Sequence, residues 1–188
     1  MTIPNIITIV RLVVLTPLFV VLAAQGRVTA AVVTLVVLGI TDWADGFIAR
    51  RWDQVSELGK TLDPLADRLG MGAVIITLAV TGSAPWWMLA LVIVPDVVLA
   101  CGMLFLLVTK RFPLPELEVN FLGKARTALL MVGLPLLLLA SSDQGGPLWT
   151  VAYLISAAGC VGHTAAAVSY AWQAWHLVYR PQVAPAAD

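Results

Sequence analysis

Apolar runs about twenty residues long recur along the whole chain, and they constrain its fold more than any motif does. A helix must be about 20 mostly apolar residues long to cross the hydrocarbon layer of a bilayer. Six segments meet that length: Ile3–Ala24, Val28–Ala49, Thr61–Thr81, Trp86–Thr109, Phe121–Ala140 and Leu148–Val178. Turn signals separate them at Gln25-Gly26, at Gly82-Ser83-Ala84-Pro85 and over Ser141–Pro147. The first run is too long for a signal peptide and no small-residue cleavage site follows it, so it is expected to persist as a helix. Only 12% of the 188 residues are charged and 60% are hydrophobic, whereas soluble domains carry about 25% charge. A soluble globule is therefore excluded. Eleven basic and 11 acidic residues balance to zero, which argues against a nucleic-acid binder. Cys101 and Cys160 both lie in apolar runs, with no disulfide or zinc spacing. The expectation is one all-α integral membrane domain over residues 1–188, with six transmembrane helices.

The basic residues predict its orientation. Arg50, Arg51, Lys60, Lys110, Arg111, Lys124, Arg126 and Arg180 flank the second–third loop, the fourth–fifth loop or the C-terminal tail, while the opposite loops carry only Arg27. The positive-inside rule then puts both termini and the two long loops in the cytoplasm of a multi-pass plasma-membrane protein. Trp86, Trp87 and Trp149 open helices on the far side, and Trp52, Trp175 and Tyr179 lie near the cytoplasmic side, as interfacial aromatic belts do. Simple apolar filling accounts for each of them singly as well.

The most informative stretch is Thr41–Arg68, TDWADGFIARRWDQVSELGKTLDPLADR. Asp42 and Asp45 are spaced i, i+3 near the end of the second span, so they share a helix face. Asp63 and Asp67 are spaced i, i+4 at the start of the third, where Pro64 is expected in the first turn and needs no amide partner. A short loop joins the two spans, so they are expected to be antiparallel neighbours with four carboxylates converging. Such acids cannot all ionise unaided. Helix capping and surface salt bridges to Arg50 and Arg68 would explain one or two of them, but acids within apolar helices are functional candidates. Asp53 and Glu57 read as solvent-facing. An all-oxygen set without His or Cys suits Mg²⁺ or Mn²⁺, and four Asp can hold a pair of ions. Gly46 and Gly59 leave backbone open to close approach, and Arg50 is placed to reach a phosphate oxygen.

Asp42, Asp45, Gly46, Ala49, Arg50, Gly59, Asp63 and Asp67 together fill the pattern D-x2-D-G-x2-A-R-x8-G-x3-D-x3-D. That pattern resembles the signature of the CDP-alcohol phosphatidyltransferase family, with no departure over its 26 positions. The resemblance implies a dimeric six-helix membrane enzyme that binds CDP-diacylglycerol beside two divalent cations. It implies that Asp42, Asp45, Asp63 and Asp67 ligate metal and that Asp67 also takes the proton of the acceptor hydroxyl as CMP leaves. Gly46, Ala49, Arg50 and Gly59 would line the nucleotide site.

The opening Ile3–Arg11, IPNIITIVR, resembles the branch of the family that makes phosphatidylglycerophosphate and cardiolipin. Asn5 and Thr8 share a face there and are candidates to meet the nucleotide, although Pro4-Asn5 also reads as an ordinary helix start. Gly123–Thr127, GKART, resembles the branch's second basic element, where Lys124 and Arg126 are candidates to clamp an acceptor phosphate or to serve as positive-inside anchors. The run Pro113–Ala125 is similar to actinobacterial cardiolipin synthases of the family. Phosphatidylglycerophosphate synthases typically carry Arg-Glu in the fourth span, where this chain has Pro95-Asp96. The expected activity is therefore transfer of a phosphatidyl group from CDP-diacylglycerol to phosphatidylglycerol, giving cardiolipin and CMP. Glycerol-3-phosphate is the alternative acceptor. Asp96 either orients Lys124 or Arg126 or pairs with a neighbouring helix end. His163 and His176 have no acidic or cysteine cluster nearby in sequence and read as core or interface residues. A cation transporter would also use intramembrane acids, but near the midplane on broken helices, not gathered at one end beside arginines.

Overall fold

A computed structural model describes residues 2–51, 57–109 and 121–179. Their regular structure is helical throughout. α1 (Ile3–Val10), a π-helical turn (Arg11–Leu15) and α2 (Thr16–Ala24) make one rod, followed by α3 (Val28–Arg51), α4 (Glu57–Val80), α5 (Trp86–Val108), α6 (Phe121–Leu139) and α7 (Pro147–Tyr179). Six rods therefore stand where six apolar runs were expected, with ends that agree closely. Among the described residues, three stretches are long and apolar enough to cross a membrane: Pro4–Ala24, Trp86–Leu106 and Pro147–His176. Val28–Ala44 and Ala125–Leu139 are shorter apolar helices.

Glycines make the turns. Gly26 (φ 70°), Gly82 (φ 74°) and Gly145 (φ 96°) all occupy left-handed backbone conformations that a Cβ disfavours. The side-chain amide of Gln144 donates to the Gly82 carbonyl at 2.9 Å, tying the α4–α5 turn to the α6–α7 turn at one end. Beside that end Tyr153 stacks on Trp149 (centroids 4.9 Å apart) and meets Trp87 edge-on at 6.0 Å. These two tryptophans thus grip a tyrosine of the bundle, beyond any belt role.

Two expectations need correction. α3 and α4 are not packed on each other among the described residues; each packs on the α1–α2 rod, which stands between them. Chain adjacency was a poor guide because the intervening rod offers both helices an apolar face. Pro64 is not in a first turn, because α4 already begins at Glu57. The polar residues before the apolar run are helical too, so Pro64 lies inside and leaves the Lys60 carbonyl without its usual donor.

The remaining contacts close a circuit. α3 packs on α6, α6 on α7, α7 on α5, α5 on α4, and α4 on the α1–α2 rod. The core is apolar and centred on Phe19, Ile75, Leu78, Met88, Val92, Leu130, Leu137 and Cys160. Large apolar side chains such as Val33, Ile40, Val97, Leu104, Leu154 and Val168 point outward, the arrangement expected where lipid tails are the solvent. The α6–α7 seam is the tightest. A Cβ on Gly133 would lie 2.8 Å from the Ser156 backbone nitrogen, and one on Gly159 would lie 2.9 Å from the Leu130 side chain. Small residues let helix backbones approach where no hydrophobic effect drives them together.

Candidate active site

The α1–α2 rod delivers Arg11 to the carboxylates on either side of it. Its Nη1 donates to Asp42 Oδ1 on α3, and its Nη2 donates to Asp67 Oδ1 on α4 at 2.6 Å. Arg11 is buried, with 8% of its side chain exposed, whereas Asp42 and Asp67 keep 33% and 53% of theirs open. A buried cation needs such partners, because an unpaired charge at this depth is costly. The fork of a guanidinium suits two separate carboxylates, one on each nitrogen.

The local backbone explains how Arg11 gets there. Pro17 has no amide to give Val13, and the preceding turn widens so that the Thr16 amide bonds back to the Arg11 carbonyl. The Thr16 hydroxyl reinforces it at 3.0 Å. Asn5, Thr8 and Arg11 fall at three-residue intervals and are all buried, at 2%, 0% and 7% exposure. The Thr8 hydroxyl donates to the Pro4 carbonyl at 3.1 Å.

Asp45 lies one turn beyond Asp42 on α3, and Asp63 one turn before Asp67 on α4. Their side chains lie outside the described residues, as do those of Gly46, Ala49, Arg50 and Lys124. Gly59 is buried on α4. The structure thus brings Asp42 and Asp67 to one cationic centre from two helices that each pack on the α1–α2 rod. Asp42 and Asp67 supply hard carboxylate oxygens of the kind a divalent cation takes, but Arg11 holds one from each, and among the described residues no three acidic, histidine or cysteine side chains gather into a metal-sized group.

A second polar cluster joins α5, α6 and α7. Arg126 Nη1 lies 3.0 Å from His163 Nδ1 and 3.3 Å from the His163 carbonyl oxygen. His163 Nε2 lies 3.3 Å from Asp96 Oδ1. His163 is buried, as expected of a core residue, and Asp96 reaches it from another helix. Asp96 thus faces the ring of His163, which lies within α7 and not at a helix end. Arg68, next in sequence to Asp67, is within electrostatic range of both Asp96 and Arg126. The clusters are consequently neighbours, and the described rods all contribute a polar group: Arg11, Asp42, Asp67, Asp96, Arg126 and His163.

Sequence reasoning missed Arg11 and His163 as site residues. Arg11 was a lone cation in an apolar run, which is itself a signal. His163 carried none, since its partners are distant in sequence.

An apolar helical bundle with its ionisable groups gathered on facing helices is the build of a membrane protein with an embedded polar site. The CDP-alcohol phosphatidyltransferase family model matches residues 1–175, and the chain belongs to that family. It is 41% identical over 151 residues to a putative cardiolipin synthase of Mycobacterium tuberculosis, covering 80% of this chain and 69% of the relative. It is 37% identical to a cardiolipin synthase (CMP-forming) of Streptomyces coelicolor over 152 residues, 78% of this chain and 68% of that one. A probable phosphatidylglycerophosphate synthase of M. tuberculosis is 31% identical over 172 residues, 88% of this chain and 78% of that protein.

Proposed function

We propose that the protein transfers a phosphatidyl group from CDP-diacylglycerol to the free hydroxyl of phosphatidylglycerol, releasing CMP and forming cardiolipin. Membership of the family and two relatives named as cardiolipin synthases support this reading. The observation that carries it is the meeting of Asp42 and Asp67 at Arg11, which sets a half-open carboxylate beside concentrated positive charge. Asp67 takes the acceptor hydroxyl's proton as that oxygen bonds to the lipid-bearing phosphorus. The bond from that phosphorus to the CMP oxygen breaks, and CMP leaves.

Asp42, Asp45, Asp63 and Asp67 would hold two divalent cations, Mg²⁺ or Mn²⁺. When bound, these neutralise the diphosphate and stabilise the departing CMP oxygen. Gly46, Ala49, Arg50 and Gly59, with Asn5 and Thr8, form the nucleotide side of the site. Lys124 and Arg126 hold the acceptor's phosphate. The carboxylate end faces the cytoplasm of the plasma membrane, and the protein works as a homodimer.

Pro95-Asp96 supports phosphatidylglycerol over glycerol-3-phosphate as acceptor. A monoester dianion calls for a denser basic pocket than a lipid phosphodiester. The test is to give purified protein CDP-diacylglycerol with both acceptors and identify the lipid made. Cardiolipin is expected; phosphatidylglycerophosphate alone would replace this reading with the glycerol-3-phosphate one.

A further inference from the structure

The cluster on α5, α6 and α7 has a definite proton arrangement. A guanidinium only donates, so His163 Nδ1, 3.0 Å from Arg126 Nη1, must accept. An accepting ring nitrogen carries no proton, so the imidazole is neutral with its proton on Nε2. That buried nitrogen has no well-directed hydrogen bond among the described residues, and Asp96 Oδ1 stands 3.3 Å from it. The sequence of groups is cation, neutral ring, anion.

The backbone is built to hold that sequence. Pro95 cannot donate to the Leu91 carbonyl, and the Thr164 hydroxyl supplies the missing bond from α7 at 2.8 Å. This pin joins Leu91, five residues before Asp96, to Thr164, the residue after His163, and holds α5 against α7 beside the pair. A Cβ on Gly162 would lie 3.3 Å from the Arg126 Cβ, so α6 comes close enough for its arginine to reach His163.

Among the described residues, both bonds that Arg126 makes use Nη1. Nη2 and Nε keep their donors, the edge with which arginine grips phosphate oxygens in pairs. A carboxylate placed directly on the guanidinium would neutralise that edge. A neutral imidazole between them fixes the orientation and keeps the anion one ring away.

We propose that Asp96 and His163 are positioning residues that hold the Arg126 guanidinium, through a neutral imidazole, with its free edge turned to the acceptor's phosphate group. This rests on the reading of Arg126 as an acceptor ligand. The phosphate can belong to a lipid phosphodiester or to a free glycerol phosphate, and the same device serves either.

The experiment measures both substrates' KM and kcat for Arg126→Ala, His163→Leu, His163→Gln and Asp96→Asn, with phosphatidylglycerol and glycerol-3-phosphate as separate acceptors. His163→Leu is expected to raise the acceptor KM about tenfold, the loss of one charge-assisted contact. The CDP-diacylglycerol KM should move by less than about twofold. His163→Gln should restore most of the loss, because a carboxamide sets an acceptor oxygen and a donor NH₂ either side of one carbon, as the imidazole sets its two nitrogens. Asp96→Asn should fall between the two. A rise with only one acceptor identifies the source of the phosphate. If Arg126→Ala raises the acceptor KM and His163→Leu does not, the positioning role is overturned and the acceptor reading stands. If Arg126→Ala moves neither KM, the acceptor reading itself falls and takes this inference with it. Equal rises in both KM values for His163→Leu would mark a scaffold residue and also overturn the proposal.

Discussion

The Thr164 hydroxyl donates to the carbonyl oxygen of Leu91 across the α5–α7 contact, at the position where Pro95 has removed the helix's own donor. A side chain on one helix completes the backbone ladder of another. Without water in the bilayer core, an unmade backbone bond costs several kcal/mol at most and about 1–3 in measured proteins.

This pairing predicts a coupling. Thr164→Val should lower stability by about 1–3 kcal/mol, read as thermal unfolding in detergent. In a Pro95→Ala background α5 can donate to Leu91 itself, so the same valine should cost less than half as much. Additive losses in the double variant would contradict the assignment of Thr164 as the substitute donor.

Arg11 is the counterion of Asp42 and Asp67. Arg11→Ala should destabilise the protein in chelator by about 1–3 kcal/mol, because two facing carboxylates lose their cation. Adding Mg²⁺ or Mn²⁺ should then raise the melting temperature by more than it does in the parent protein, since the metal replaces the missing charge. Equal shifts in the two proteins would show that metal and Arg11 use different oxygens.

Asp67→Asn should preserve the fold, as judged by an unchanged gel-filtration profile and helical circular dichroism. Turnover should fall at least about a hundredfold, the lower end of what a general base contributes. Substantial CMP release from this variant, or full activity of the parent in excess chelator, would contradict the proposed chemistry.

The helix seam makes a sharper structural prediction. Gly133→Ala puts a methyl within 2.8 Å of a backbone nitrogen of α7, so α6 and α7 must move apart, at a cost of about 1–3 kcal/mol. Gly102 on α5 has nothing within 4 Å of its missing Cβ, so Gly102→Ala should be neutral or gain about 0.5–1 kcal/mol. Thermal melts of the two variants should move in opposite directions or differ by that margin.

The helices themselves were legible because length and apolarity are local properties. Each expected run matches a rod, and disagreements fall where polar residues are helical, as at Glu57–Lys60 ahead of Pro64. The acid spacing was legible for the same reason, since i, i+3 and i, i+4 are facts about one helix. What joins the helices was not. Nothing local in the sequence marks the α1–α2 rod as the element between α3 and α4, or Arg11 as the link from Asp42 to Asp67. His163 and Arg126 are 37 residues apart, and Asp96 arrives from a third helix. Pro95-Asp96 looked like a departure from a motif, while its physical sense depends on Thr164 being opposite.

The wide turn at Arg11–Leu15 sets how this first rod can vary. A π turn holds one residue more than the α-helix on either side of it, so it acts as a phase shift between Asn5, Thr8 and Arg11 before it and Phe19 and Ala23 after it. Dropping one residue from Leu12–Leu15 would close the wide turn into ordinary α-helix and leave Arg11 and Phe19 on the faces they hold now, because the turn carries its extra residue locally. Dropping one from Leu18–Leu22, where there is no such slack, would swing the N-terminal part by about 100° and carry Arg11 away from both carboxylates. The rod can lose a residue at one place along its length and nowhere else.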